Sequence, residues 1–286
     1  MAEKNIRQII KEVTRKSFVI YWVYFFVRYS FTILRARQVV IVATPGHVGS
    51  SSLWATLKAS AWERGTLVVG IHSLNEKTTK VNLSARHVLQ DVLRFFLTRK
   101  ILNKKKIHIV TVVRDPIARA LGAIFQSYSF LKQFENQLQD DVSLNLEVVK
   151  KFMLETGYMM NTVKYQVSYY QKEIPHYYQI RAELYDMNFG GNVFVKSESR
   201  SLSILTLENF NRDFPLFFEH HHQISPKLKI KNTNASRGGK YAELYTYCKN
   251  NLKFESEVVD SIYNNDFLIH LYGQKQLDAF KEKWRG

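Results

Sequence analysis

Two short stretches carry residue types suited to holding anions. Thr44-Pro45-Gly46-His47-Val48-Gly49-Ser50-Ser51-Ser52-Leu53 sets glycines, serines and a histidine directly after the apolar run Val39 to Ala43. Without a Cβ at Gly46 or Gly49, backbone amides can approach a ligand closely. A helix beginning at Ser50 aims its free amides, and the positive end of its dipole, at the same point. The nucleoside triphosphatase pattern G-x-x-x-x-G-K-S/T places a lysine after the second glycine, whereas here Ser50 follows Gly49, which disfavours ATP hydrolysis. His47 is the titratable side chain of this loop and is positioned to meet a bridging oxygen of the bound group.

The second stretch is Arg114-Asp115-Pro116, at the carboxyl end of Ile107-His108-Ile109-Val110-Thr111-Val112-Val113 and followed by Arg119. Ligands of open α/β sheets sit at such strand ends. Pro116 suits a first helical turn, where its missing amide would have had no partner. Arg114 is then free to fork onto a phosphate that the first loop holds at its other end. His72 closes the run Val68-Val69-Gly70-Ile71, and an imidazole with an ordinary pKa near ~6.5 suits general-base work there, with Glu76 in reserve. His220-His221-His222 reads as a solvated loop or helix end, since consecutive side chains diverge and no cysteine or acid stands at ligand spacing.

These two motifs together resemble the sulfotransferases that use 3′-phosphoadenosine 5′-phosphosulfate (PAPS), in particular those that modify carbohydrates and capsular polysaccharides. That family binds the 5′-phosphosulfate with P-K-x-G-S/T-S/T-S/T-L, to which Pro45 through Leu53 is similar. It binds the 3′-phosphate with R-D-P-x-x-R-x-x-S-x-F, to which Arg114 through Phe125 is similar. The resemblance implies PAPS as cofactor, no metal, and transfer of a sulfuryl group to a hydroxyl of a polysaccharide or glycolipid. It assigns cofactor binding to Gly46, His47, Val48, Gly49, Ser50, Ser51, Ser52, Arg114 and Arg119. It also assigns cofactor binding to the late basic loop Arg237-Gly238-Gly239-Lys240 and sets His72 where carbohydrate sulfotransferases carry a histidine or glutamate, while His47 is the candidate catalytic group for the leaving oxygen and Glu76 the reserve base. The chain departs from the pattern in three places: His47 stands for a lysine or arginine, the loop is one residue longer, and Gly122 stands for a phosphate-binding serine. The alternatives are a nucleotide-binding, kinase-like enzyme and a catalytically silent, membrane-associated relative.

Positioning two anion sites on neighbouring strand ends requires a parallel sheet. From Val39 the pattern alternates accordingly: a helix from Ser50, a strand from Thr66 to Ile71, a helix around Leu83 to Lys100, the Ile107 strand and the Pro116 helix. Residues 144–178 read helical, Val193 to Lys196 and Leu202 to Leu207 read as strands, and the last third reads helical. The expected class is therefore α/β, a P-loop-type parallel sheet with covering helices and a helical C-terminal third.

At 286 residues, residues 39–286 form one expected catalytic domain, preceded by an aromatic and basic helical segment, 1–38. The run from Phe18 to Val27 is too short to span a bilayer comfortably. Segment 17–34 is expected to touch a membrane peripherally, to pack on the sheet, or to act as a short signal anchor. The expected location is cytoplasmic, or membrane-associated facing the cytoplasm, with a Golgi signal anchor as the alternative. A single cysteine, Cys248, excludes an intrachain disulfide framework. The formal net charge of +16 draws anionic partners inward. No nucleic-acid motif accompanies it, which ranks RNA and DNA below an anionic cofactor, an acidic glycan or membrane phosphate as partners, and the carbohydrate acceptor is what the resemblance implies.

Overall fold

The β-branched runs form adjacent parallel strands, in which both faces of a strand are covered and no polar alternation is needed. The computed structural model describes residues 18–46, 50–59, 65–72, 74, 85–126, 132, 135–138, 145–178, 193–196, 199–210, 212, 214 and 241–286. Its strands are β1 (Gln38–Ala43), β2 (Thr66–Ile71), β3 (Lys106–Val113), β4 (Val193–Lys196) and β5 (Arg200–Thr206). They form a five-stranded sheet in the order β2-β1-β3-β5-β4. β2, β1, β3 and β5 run parallel, and β4 borders β5 antiparallel. The chain is thus an α/β protein, with an antiparallel edge strand that the sequence pattern did not foretell.

The helices are α1 (Phe18–Arg35), α2 (Ser50–Ala59), α3 (Ala85–Thr98), α4 (Pro116–Gln126), α5 (Asn145–Glu155) and α6 (Tyr158–Ser168). A π-helical turn, Tyr169–Glu173, leads from α6 into α7 (Ile174–Tyr178). The chain ends in α8 (Ala242–Asn251), α9 (Ser256–Tyr263), α10 (Asp266–Tyr272) and α11 (Gln274–Trp284).

Side-chain alternation along β1 divides the core in two. Val39, Ile41 and Ala43 enter the larger cluster, while Val40 and Val42 enter a smaller one with Leu53 and Leu57 of α2. One face of α1 joins the larger cluster through Tyr21, Trp22, Phe25, Phe26 and the fully buried Ile33. The indole of Trp22 donates to Asp91 Oδ2 at 3.3 Å, and the Phe26 and Phe95 rings meet at 5.9 Å, which fixes α1 against α3. Among the described residues, no helix is long and apolar enough to cross a membrane.

Candidate functional site

β1 lies between β2 and β3, so the chain leaves β1 towards one side of the sheet and later returns to the other. The crevice beyond the carboxyl ends of β1 and β3 is the topological switch point, where open α/β sheets bind ligands. Thr44-Pro45-Gly46 leaves β1 there and is buried. The Thr44 amide donates to the Ile71 carbonyl at 3.3 Å, tying the exit of β1 to the end of β2. Gly46 has φ +80°, a region that strains any other residue. The nearest atom to a Cβ built there is Nδ1 of His72, at 3.9 Å. His72, half-buried just past β2, therefore faces the start of the loop. The chain beyond His72 is fixed by the Leu74 amide, which donates to Glu173 Oε1 at 2.7 Å, and by Arg94 Nε donating to the Leu74 carbonyl.

Arg119 lies beneath this loop. Its Nε donates to the Gly46 carbonyl at 3.2 Å, one terminal nitrogen to the Pro45 carbonyl at 2.8 Å and the other to the Thr162 carbonyl at 2.9 Å. Burial pulls its pKa below the ordinary arginine value, with Tyr170, Tyr165 and Tyr158 acting in the opposite direction. A buried cation with three carbonyl partners shapes the loop, and this is the role the geometry shows for Arg119. Arg119→Ala is expected to lower stability by about 2–4 kcal/mol, since three carbonyls lose a charged donor. Arg119→Lys, with a point charge in place of a planar fork, is expected to recover less than half of that. Urea unfolding of both variants checks this, and an Arg119→Ala loss below about 0.5 kcal/mol would refute the clamp.

Arg114 emerges from β3 next to the loop and is half-buried. One of its terminal nitrogens donates to the Tyr245 hydroxyl at 3.0 Å, and its carbonyl accepts from Gln166 Nε2 at 2.8 Å. The Tyr245 ring is braced edge-on by Phe125 of α4 at 5.5 Å. A Cβ added at Gly122 would come within 2.7 Å of the other terminal nitrogen of Arg114. Gly122 thus makes room for the guanidinium where the resembled family carries a serine.

Asp115 occupies a different environment, almost wholly buried beside Arg114. Oδ1 accepts from the Ile117 and Ala118 amides at 3.0 and 3.4 Å, which caps α4 ahead of Pro116. Oδ1 also accepts from the Tyr263 hydroxyl at 2.5 Å, and Oδ2 from the Trp284 indole at 2.7 Å. Burial first, and the Asp115 carboxylate second, push the Tyr263 hydroxyl well above the ordinary tyrosine range, so it remains a donor. Glu208, just past β5, accepts from the Asp115 amide at 2.8 Å. Crowding by protein atoms and the adjacent Asp115 carboxylate push its carboxyl up to about 7. The Glu208 residue is nevertheless exposed, so solvent moderates the shift.

The structure therefore brings together Gly46, His72, Arg114 and Arg119, and α2 begins four residues after Gly46. The backbone of Ser50 and the side chains of Ser51 and Ser52 lie in the first turn of α2. His47, Val48, Gly49, Glu76, Arg237, Gly238, Gly239, Lys240 and the histidine triplet lie outside the described residues. Sequence reasoning missed Tyr245, Gln166, Glu208 and the ties from Asp115 to Tyr263 and Trp284. Nothing near Arg114 in the chain signals these partners.

A cavity of about 710 Å³ wraps the outer edge of β2 and is lined by Arg28, Ile33, Ser51, Trp54, Lys58 and Gly70 among others. It reaches Ser51 of α2, but neither His72 nor Arg114 lines it, so the switch point and not this cavity defines the site. Among the described residues, no group of three or more His, Cys, Asp or Glu could hold a metal ion. No protein-family model, curated protein or solved structure matches the chain.

Proposed function

We propose that the chain is a PAPS-dependent sulfotransferase acting on a carbohydrate hydroxyl, of a polysaccharide or glycolipid. One observation carries this reading. Two anion-type sites leave adjacent parallel strands at the switch point, and Arg119, from the helix after the second site, clamps the loop of the first. A ligand with phosphate-like groups at two separated positions suits that spacing better than the single chain of phosphates in ATP. The residues fit such a ligand: Gly46 opens the backbone, α2 offers amides and serine hydroxyls, and Arg114 offers a forked cation held by Tyr245.

The nucleotide supplies the activated sulfuryl group. His72 faces the loop from the end of β2 and takes the proton of the acceptor hydroxyl, with Glu76 as the alternative base. His47 is assigned to the leaving oxygen as a hydrogen-bond donor, the place where the resembled family has a lysine or arginine. Arg114 and the α2 amides hold negative charge at fixed positions, the arrangement that favours in-line group transfer.

Thermal unfolding with added nucleotides tests the assignment. Adenosine 3′,5′-bisphosphate at about a hundredfold excess over its dissociation constant is expected to add roughly 2.7 kcal/mol. Arg114→Ala is expected to remove most of that gain. Equal or greater stabilisation by ATP with magnesium would replace the proposal with the kinase-like reading. Bisphosphate binding without transfer to any carbohydrate would favour the silent relative.

A further inference from the structure

Helix α1 is apolar on both faces, although only one face meets the core. Val19, Ile20, Val23, Val27, Phe31 and Leu34 are all exposed. At 3.6 residues per turn, these positions fall within an arc of about 120°, a continuous stripe running the length of the helix. Its borders are cationic. Arg28 and Arg35 are exposed along one side, with the Arg35 guanidinium 4.2 Å from the Phe31 ring centroid. On the other side Phe26 abuts the partly exposed Phe95 of α3, and the Arg99 guanidinium lies 4.6 Å from that ring. Helix α1 itself contains no acidic residue.

We infer that this stripe docks the protein on an anionic lipid bilayer. Helix α1 lies in the plane of the interface, with the six apolar side chains at the acyl boundary and Arg28, Arg35 and Arg99 among the lipid phosphates. An apolar band edged with arginines is what an interfacial helix needs, because the stems add apolar contact while the heads reach the charged layer. The net charge of +16 adds long-range attraction to the same surface. A second copy is a poorer occupant. Two-fold pairing through the stripe would set Arg28 and Arg35 of each copy against like charges.

Cosedimentation of the full chain with phosphatidylcholine vesicles, with and without phosphatidylserine, tests this. Binding is expected to the anionic vesicles and to weaken at high salt. Val23→Asp combined with Phe31→Asp is expected to lower partitioning at least about tenfold, with the circular dichroism spectrum unchanged. Arg28→Glu with Arg35→Glu is expected to abolish the preference for phosphatidylserine, and it carries the test should the aspartate pair disturb folding. No binding by the wild type, or undiminished binding by both double variants, would overturn the inference. So would a lipid-free dimer, seen by light scattering, that the aspartate pair dissolves.

Discussion

Replacing Asp115 with alanine is expected to lower the stability of the whole domain by about 3–5 kcal/mol, the range for removing one member of a buried charged hydrogen-bond network. The carboxylate joins three parts of the chain that are remote in sequence. It caps α4, accepts the Tyr263 hydroxyl of α9 and accepts the Trp284 indole of α11. Without it, two buried side-chain donors and the first turn of α4 lose their acceptor together. For a chain of this size, the midpoint of thermal unfolding should fall by roughly 6–15 °C. Asp115→Asn keeps the shape but presents an NH₂ to one of two donors, so a loss of about 2–3 kcal/mol is expected. Trp284→Phe, which keeps most of the ring volume, isolates the indole contact and should cost about 1–3 kcal/mol. Denaturant unfolding measures all three variants. An Asp115→Ala loss below about 1 kcal/mol would mean that water replaces the carboxylate and that this network does not anchor the C-terminal helices.

The second large effect concerns chemistry. His72→Ala is expected to reduce transfer of radiolabelled sulfate to a carbohydrate acceptor by about 10²–10⁴, the usual contribution of a general base. It should leave stabilisation by adenosine 3′,5′-bisphosphate nearly intact, because the proposed anion contacts come from the loop, α2 and Arg114. The pairing of the two measurements matters, since His72 also packs beside Gly46. Loss of both binding and transfer would make His72 a residue that shapes the loop. Unimpaired transfer would move the base to Glu76. His47→Lys, which supplies the cation usual in the resembled family, is expected to retain transfer if residue 47 meets the leaving oxygen, whereas His47→Ala is expected to lose it.

Short-range signals in the sequence set the local elements of this protein. Apolar β-branched runs bounded by Gly, Pro and charged residues marked β1, β2 and β3. The hydroxyl cluster at Ser50 marked the start of α2, and Pro116 marked the first turn of α4. These signals are legible because they act over one turn or one strand, where steric preference and periodicity dominate. The two stretches proposed to hold anions were delimited for the same reason, each being confined to a loop and the helix that follows it.

Which residues surround those stretches depends on long-range packing. Arg119 reads in sequence as a second phosphate ligand, yet its three nitrogens are held by the carbonyls of Pro45, Gly46 and Thr162. Asp115, to which sequence reasoning assigned no role of its own, caps α4 and is also the acceptor for Tyr263 and Trp284. Arg114 is steadied by Tyr245, from a helix near the other end of the chain, and fits because Gly122 has no side chain. The apolar run of α1 left membrane contact, core packing and a short signal anchor all open, and the packing gives it one buried face and one exposed stripe. Hydrogen-bond partners of a buried charge are set by which remote donors the fold delivers, and a local pattern has no means of encoding that.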